Sequence, residues 1–350
     1  MRLVVSGYYG FGNAGDDAVL AGMLELLQHA GVDRGDVSVL SADPAETSHA
    51  HDVRAVSRWN PLRIASELRR AEGLISGGGG LLQDVSSVRP VSYYAGVMEL
   101  AQLVRRPYAL VAQGLGPLRR EPNRRIARAA LQRAAHVSLR DDRSIALARR
   151  IGVERAISRT ADAALAALSS PSTMVDRRGG HVLVAVRGGY PADAVVGPLR
   201  HAVADLSAQR RVVALPMHGA VDRDASTALV AGIAGASVAD PDGSLGEKLE
   251  AIATASVVIG VRLHALVLAA AAGVPAIAIS YDPKVDAFAQ RAGIPVIGSV
   301  ASALDTEQLL SAVDEALRGG GSAYGQRVAD MRAEAEADVR TALAAMGHTR

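Results

Sequence analysis

The stretch from Val257 to Lys284, VVIGVRLHALVLAAAAGVPAIAISYDPK, contains a complete strand–helix–strand unit. Its two short β-branched runs, VVIG and AIAIS, are bounded by glycine and proline and therefore predict buried strands. The run between Ala265 and Ile279 is apolar, but it is rich in alanine, interrupted by Gly273 and Pro275, and too short for a membrane-spanning helix. We therefore predict a buried helix followed by a buried strand, the repeating unit of a parallel sheet.

The same alternation extends along most of the chain, with LVVSG, VSVL, LISG, YALVAQG and HVSLR in the first half and VLVAVRG and VVALP in the second. It predicts an α/β protein, and 350 residues are enough for two doubly wound, Rossmann-like domains. We place the domains at 1–170 and 181–322, a linker at 171–180 in a segment without periodicity, and a C-terminal helix at 323–350. Two such domains would face each other across a shared cleft.

Composition excludes several classes of protein. The chain carries 38 Lys plus Arg against 36 Asp plus Glu, which gives no support to a nucleic-acid partner. It has no cysteine, so disulfides and thiolate metal sites are excluded. The first residues, MRLVVSG, lack the long apolar core of a signal peptide, and we expect a cytoplasmic protein.

The strongest functional signal is Arg262-Leu263-His264, which follows a strand and begins a buried helix. An arginine and a titratable imidazole beside a helix N-terminus suit a phosphate or carboxylate. Lys284, after the next strand, is placed to add a second cation. Since the helix behind these residues is apolar, a solvated surface explains them less well than an anion site.

Glycine-rich loops follow the early strands. In SGYYGFGNAGDDA, from Ser6 to Ala18, Gly10 and Asn13 precede Asp16 and Asp17, where we expect the next helix to start at or just after the two aspartates. The aspartates are either helix caps or catalytic groups, and these two interpretations have equal weight. No acidic residue closes the following strand where a dinucleotide-binding fold requires one, so nicotinamide binding is weakly supported.

Two further loops and one arginine complete the candidates. Four glycines run from Gly77 to Gly80, and we interpret Gly78 and Gly79 as a backbone that approaches a ligand. Gln113, in QGLGP, lies either in a tight turn or in a second binding loop. Arg140 in LRDDRS ends a strand and is either an anion ligand or a surface residue, and Asp141 is placed to cap the next helix.

Taken in order, SGYYGFGNAGDDA, SGGGGLLQD, QGLGPL, LRDDRS with Ala161-Asp162, and IGVRLHALVLAAAAGVPAIAISYDPKV resemble the polysaccharide pyruvyl transferase family, over Leu3 to about Val285. Within that family the motifs resemble those of bacterial cell-wall enzymes that pyruvylate a polymer anchoring S-layer proteins. The resemblance implies a fold similar to GT-B glycosyltransferases, with the N-terminal domain on the acceptor side and the C-terminal domain on the donor side.

The resemblance also implies phosphoenolpyruvate as donor and co-substrate, no metal and no other cofactor. The acceptor it implies is a lipid-linked or polymeric glycan containing N-acetylmannosamine. Residues matching Arg140, Arg262 to His264 and Lys284 are associated with the donor, and Asp16, with Asp17 beside it, is associated with acid/base work. A lipid-linked acceptor would bring the enzyme to the inner face of the plasma membrane. The arginine-rich first domain is the expected contact there.

Two rival functions remain open. A GT-B-type nucleotide-sugar glycosyltransferase needs an acid for the ribose, for which Glu247 is a candidate, and a platform for the base, for which no clear set of aromatic residues is evident. A non-catalytic anion- or sugar-binding protein needs only the cationic pocket. It does not account for the acidic pair Asp16 and Asp17.

Overall fold

A computed structural model of the chain describes residues 1–85, 87, 89–168, 180–189, 192–299, 304–319 and 325–348. It contains two parallel sheets covered by helices, so the predicted α/β architecture is confirmed. The predicted linker, 171–180, lies outside the described residues except for its last glycine.

The chain divides into two compact units. The first unit contains Met1–Phe11, Val19–Ala167 and Met331–Arg350. The second unit contains Gly12–Ala18 and Leu168–Asp330. The short segment Gly12–Ala18 therefore belongs to the second unit, although most of the N-terminal half belongs to the first.

The first unit is built on a seven-stranded parallel sheet with the order β3-β2-β1-β4-β5-β6-β7. The chain starts at the centre and reverses its direction of travel between β1 and β4, the position at which open α/β sheets bind ligands. Its strands are β1 (Leu3–Ser6), β2 (Val37–Ser41), β3 (Arg54–Ser57), β4 (Gly73–Gly77), β5 (Tyr108–Gln113), β6 (His136–Leu139) and β7 (Ser158–Arg159).

Local capping signals fix several helices around this sheet. The side chain of Asn60 accepts a hydrogen bond from the backbone amide of Arg63 at 3.0 Å, directly before Pro61 in the first turn. The Asp141 carboxylate likewise accepts from the Ser144 amide at 2.7 Å, which confirms its predicted capping role. The helices are α1 (Ala14–His29), α2 (Pro44–His51), α3 (Pro61–Arg70), α4 (Arg89–Leu103), α5 (Glu121–Arg133) and α6 (Asp142–Arg150).

The second unit repeats the design with six parallel strands in the order β10-β9-β8-β11-β12-β13, which reverses between β8 and β11. The strands are β8 (Val182–Ala185), β9 (Val212–Ala214), β10 (Ala236–Val238), β11 (Val257–Gly260), β12 (Ala276–Ser280) and β13 (Val296–Ser299). The helices are α7 (Ala192–Ser207), α8 (Gly219–Val230), α9 (Leu245–Ala253), α10 (Leu263–Ala272), α11 (Pro283–Ala292) and α12 (Thr306–Gly319).

The alanine-rich segment lies where its composition predicts. Every residue of α10 from Ala265 to Ala272 is buried, and so is all of β12. Helix α10 is thus apolar on all sides because it is enclosed by protein. Among the described residues, no helix is long and apolar enough to cross a membrane.

The C-terminal helix α13 (Gly325–Ala345) contributes its second part to the first unit. The buried carboxylate of Asp338 lies 2.7 Å from the Nε2 atom of His136 and accepts a hydrogen bond from the Ser138 hydroxyl. Both partners belong to β6. The end of the chain is therefore fixed to the sheet by a buried polar cluster as well as by apolar contacts.

Candidate active site

Three cationic side chains follow adjacent strands of the second unit. Arg187 lies two residues after β8, Arg262 two residues after β11, and Lys284 four residues after β12. Since β8, β11 and β12 are neighbours in a parallel sheet, their carboxyl ends meet at one edge. This edge includes the point between β8 and β11 where the strand order reverses, which is the expected ligand site of such a sheet.

The guanidinium of Arg262 is held by a buried carboxylate. Its Nε atom donates to Asp222 Oδ2 at 2.8 Å, and its Nη2 atom donates to Oδ1 of the same residue. Asp222 lies in the first turn of α8 and is fully buried. The pairing uses one edge of the planar guanidinium, and the edge formed by Nη1 and Nη2 can still present two parallel N–H groups to an anion.

Asp222 also fixes the two neighbouring loops. Its carboxylate accepts hydrogen bonds from the backbone amides of Gly188 and His218, both at 3.0 Å. Gly188 follows β8 and His218 follows β9. One carboxylate therefore joins the ends of three strands, and we call Asp222, Arg262 and these two amides the Asp222 clasp.

Lys284 and Arg187 share an aromatic partner. The guanidinium carbon of Arg187 lies 4.5 Å from the centroid of the Tyr281 ring, and Lys284 Nζ lies 5.5 Å from the same centroid. Lys284 also lies 3.8 Å from the Asp282 carboxylate and is partly exposed. The ring of Tyr281 therefore positions two cations at the edge that carries Arg262.

His264 packs against the start of α1. The imidazole lies so close to the Cα of Gly15 that a side chain at position 15 would collide with it. Gly15 belongs to the segment Gly12–Ala18, which pairs with the second unit through a bridge between Asn13 and His218. His264 thus contacts the residue that directly precedes Asp16. Leu263, next to His264 in the chain, is buried.

Two of our sequence expectations about Asp16 and Asp17 are wrong. Helix α1 begins at Ala14, two residues before Asp16, so neither aspartate is the N-cap. Asn13 takes that place, because its side-chain oxygen accepts from the Gly15 amide at 3.2 Å and its backbone carbonyl accepts from the Asp16 and Asp17 amides. The Asn13 amide group donates to the Asp16 carboxylate. Neither aspartate therefore caps the helix.

Asp17 has a different electrostatic neighbour. Burial lowers the pKa of Lys248. Four carboxylates oppose this shift, and that of Asp17 has the largest effect among them. Lys248 is 6% exposed, and its ammonium donates to the Pro241 carbonyl at 3.0 Å. The two acids at the start of α1 thus lie in distinct surroundings, Asp16 with an amide and Asp17 in the field of a buried lysine.

In the first unit, Arg140 is also paired with a buried acid. Its Nη1 atom donates to the carboxylate of Asp162, which is 4% exposed and accepts a further hydrogen bond from the Ala164 amide at 3.1 Å. The guanidinium lies across Gly114, where a Cβ would be 3.1 Å from Nε. Arg140 is therefore a positioned, nearly buried side chain and not a surface arginine.

Packing accounts for much of the glycine pattern. A side chain on Gly78 would collide with Val19, and one on Gly10 would collide with Ser41 and the Asp43 backbone. Gly78, Gly79 and Gly10 all adopt positive φ angles, which favour glycine. Packing thus accounts for Gly78, whereas the expectation that Gly79 approaches a ligand stays a prediction.

Gln113 is tied to the neighbouring strand. Its side-chain amide donates to the backbone carbonyl of Ser76 at 3.0 Å and to the hydroxyl of the same residue at 2.7 Å. Gln113 is 1% exposed and lies directly after an irregularity in the pairing of β5 with β6. It therefore joins the carboxyl ends of β4 and β5, and this geometry supports a structural role for it.

Three functional candidates were missed by sequence reasoning: Asp222, Arg187 and Lys248. For Asp222 a signal was present, because it shares the buried face of α8 with Ser226 and Leu229, and a carboxylate at such a position requires a partner. For Arg187 the signal was its place directly after a strand, the same one that pointed to Arg262. Among the described residues, no group of three metal-ligating side chains is present.

The two units define a fold of the GT-B type, as solved structures of similar architecture show. A glycosyltransferase from Rickettsia africae superposes with a TM-score of 0.63 over 99% of both chains at 9% identity. A UDP-GlcNAc 2-epimerase from Neisseria meningitidis, solved bound to UDP-GlcNAc, gives a TM-score of 0.62 at 12% identity over 98% of this chain and 100% of that one. The UDP-GlcNAc 2-epimerase from Methanocaldococcus jannaschii gives 0.60 at 13% identity, over 95% and 99% of the two chains.

Sequence narrows this class to one family. The model of the polysaccharide pyruvyl transferase family matches residues 13–283, and the chain belongs to that family. No curated protein matches the chain. The matched range includes Asp16, Arg140, the Asp222 clasp and His264, and it ends one residue before Lys284.

Proposed function

We propose that this protein transfers the enolpyruvyl carbons of phosphoenolpyruvate to two hydroxyls of a sugar, forming a pyruvate ketal and releasing phosphate. The acceptor in this proposal is N-acetylmannosamine in a lipid-linked or polymeric cell-wall glycan, such as one that anchors S-layer proteins. Membership of the pyruvyl transferase family is the single observation that carries the proposal. The arrangement of charged groups in the second unit agrees with it.

The cationic edge of the second unit suits a donor with two anionic groups. Arg262 offers a fixed pair of N–H groups, and Arg187 and Lys284 add charge from adjacent strand ends. Because Asp222 offsets the charge of Arg262, attraction of the donor depends on the other two cations, while Arg262 determines its orientation. We propose no metal in this site, since side chains supply the positive charge.

We assign the proton transfers to His264 and to the two aspartates in the first turn of α1. The imidazole follows Arg262 in the first turn of α10, so it can protonate the departing phosphate of a donor bound there. Asp16 or Asp17 takes the proton of an attacking sugar hydroxyl. Of the two hydroxyl protons that the acceptor loses, one ends on the former methylene carbon of the donor and the other on the released phosphate. The contact of His264 with Gly15 supports this assignment, because Gly15 directly precedes Asp16 in the chain.

The direct test is turnover. The protein is incubated with phosphoenolpyruvate and a glycan containing N-acetylmannosamine, and phosphate release and glycan mass are followed together. We expect equimolar phosphate and a mass gain of one pyruvate less one water. Phosphate without the mass gain would indicate hydrolysis, and the absence of both would contradict the proposal.

Variants separate donor binding from proton transfer. Arg262→Lys and Arg187→Met should each weaken donor binding, whereas Arg210→Met, exposed at the amino edge of the same sheet, should not. His264→Gln should lower turnover by about a hundredfold or more with a smaller effect on donor affinity, as expected for loss of a general acid. Equal donor affinity in the Arg262 and Arg210 variants would show that the donor binds elsewhere.

One observation counts against the nucleotide-sugar alternative. Glu247, its candidate ribose ligand, accepts hydrogen bonds from the backbone amide and the hydroxyl of Ser244 at 2.7 and 2.8 Å. The two residues form a capping box at the start of α9. The carboxylate is thus engaged in capping a helix. Pyruvyl transfer remains the function that we propose.

A further inference from the structure

Aromatic side chains of the first unit gather around one arginine. The guanidinium carbon of Arg58 lies 4.3 Å from the ring centroid of Tyr93, 5.0 Å from that of Phe11, 5.2 Å from that of Trp59 and 5.4 Å from that of Tyr94. We call these four rings and Arg58 the aromatic platform. They come from the loop after β1, the loop after β3 and helix α4, so the fold assembles them from three separate parts of the chain.

This concentration is unusual for the composition of the protein. The chain has one Trp, two Phe and eight Tyr in 350 residues, and its cores are built from alanine, valine and leucine. Tyr8 extends the platform by stacking on Phe11, with ring centroids 4.1 Å apart. General core packing therefore does not account for the gathering of these rings at one place.

Arg58 makes the platform rigid. It is 4% exposed, and its Nη1 and Nη2 atoms donate to the Gly7 carbonyl at 2.9 Å and to the Tyr94 hydroxyl at 3.2 Å. A cation fixed in this way holds the surrounding rings by cation–π attraction. Trp59, in contrast, is 64% exposed, and because Arg58 covers one face of the indole, the exposed area includes the other face.

The platform lies at the ligand-binding edge of the first sheet. Phe11 follows β1, and Arg58 and Trp59 follow β3, so these residues lie beyond the carboxyl ends of parallel strands. Open α/β sheets bind ligands at this edge, close to the point where the strand order reverses, here between β1 and β4. A flat, exposed and firmly held ring at this position indicates a binding surface.

We propose that the exposed face of Trp59 stacks against a pyranose ring of the acceptor glycan. This inference rests on the proposed function for the identity of the glycan. One face of a pyranose presents C–H groups that pack on an aromatic ring, while its hydroxyls stay at the rim in contact with water. The family acts on polysaccharides, and the rigid indole supplies the apolar surface that a charged pocket lacks.

Trp59 is the sole tryptophan of the chain, so its fluorescence reports on this surface alone. The intact protein is titrated in parallel with a disaccharide of N-acetylglucosamine and N-acetylmannosamine, with UDP, and with phosphatidylglycerol vesicles. We expect a saturable shift of the emission to shorter wavelength with the disaccharide. A shift with UDP alone would indicate base stacking, and a shift with vesicles alone would indicate membrane contact. Either result, or no shift in any arm, would overturn the proposal.

Kinetics of variants provide the second test. Trp59→Ala should raise the KM for the acceptor by roughly tenfold, as for loss of a stacking ring, with the donor KM unchanged. Trp59→Phe should recover much of the loss. Leu62→Ala, a control at a neighbouring position that is 82% exposed, should behave as wild type. An unchanged acceptor KM in Trp59→Ala would refute stacking.

The two tests separate this inference from the proposed function. If phosphoenolpyruvate is turned over and Trp59→Ala has no effect, only the stacking site fails. If no pyruvyl transfer occurs but the disaccharide shifts the emission, the stacking site stands and the proposed function fails.

Discussion

Replacement of Asp222 by asparagine tests the Asp222 clasp most directly. The wild-type carboxylate is fully buried and accepts four hydrogen bonds, two from Arg262 and two from backbone amides. Asparagine keeps the shape but has one acceptor oxygen in place of two, and it turns an NH₂ group toward N–H donors. The guanidinium of Arg262, whose side chain is only 13% exposed, then loses its counter-charge.

The expected magnitude follows from this geometry. Removal of one partner from a buried, hydrogen-bonded ion pair costs about 3–5 kcal/mol. For a unit of this size each kcal/mol lowers Tm by roughly 2–4 °C, so Asp222→Asn should melt roughly 10 °C below wild type. Asp224→Asn, at an exposed position on the same helix, should have the same Tm as the wild type.

Two measurements decide whether the clasp positions Arg262 or only stabilises the unit. If it positions Arg262, Asp222→Asn should raise the KM for phosphoenolpyruvate at temperatures well below its Tm. The double variant Asp222→Asn with Arg262→Met should regain part of the stability, because no unpaired charge remains buried and the asparagine oxygen still accepts from a backbone amide. It should not regain donor binding. A Tm for Asp222→Asn equal to that of Asp224→Asn, with an unchanged donor KM, would refute the reasoning.

Three other outcomes are expected. Burial lowers the pKa of His51 from 6.5 to about 4. Between these two pH values the imidazole is protonated in the unfolded chain but not in the folded one. The free energy of unfolding should therefore fall by about 3 kcal/mol as the pH drops through this range. Urea titrations should show that His51→Gln removes the His51 part of this dependence, while His181, whose pKa burial also lowers, keeps its own part. His49→Gln, at an exposed position on the same helix, should keep the full dependence. Gly15→Ala should reduce turnover by displacing His264, whereas Gly96→Ala, in open space, should leave turnover unchanged and raise Tm slightly. Exhaustive chelation should leave turnover intact, and restoration of a lost rate by magnesium would contradict the metal-free site.

The parts of the fold that depend on local chemistry could be predicted from the sequence. The apolar runs on both sides of Gly273 predicted the buried helix and strand, and Asp141 predicted the start of α6. The predicted start of α1 was wrong because aspartate and asparagine are both favoured N-caps, and the helix begins after Asn13 and not at the two aspartates. Asn13 was the available signal for the correct boundary.

What could not be predicted depends on contacts between distant residues. A glycine at position 78 could make room either for a ligand or for a side chain, and the sequence pattern is the same in both cases. In the structure it makes room for the side chain of Val19. The partner of Arg262 lies 40 residues earlier in the chain, and no local pattern joins them. Arg58 and the rings around it were missed for the same reason, since spacing does not show that the loops after β1 and β3 meet.

The two arginines that the sequence selected share an arrangement that stability alone does not explain. Arg140 and Arg262 each end a strand, and each is held by a buried aspartate, Asp162 in the first unit and Asp222 in the second. Since burial of an ion pair costs solvation energy that its attraction barely returns, an apolar pair of the same volume could replace the ion pair itself, although not the hydrogen bonds that each aspartate accepts from backbone amides. What the aspartate adds is direction. The aspartate binds part of the guanidinium and leaves the remaining N–H groups in a fixed orientation. The ion pair as a whole then carries little net charge. We propose that each of these arginines selects its anion by the geometry of the anion's oxygens, so a planar carboxylate or a phosphate ester should be distinguished from simple anions of equal charge.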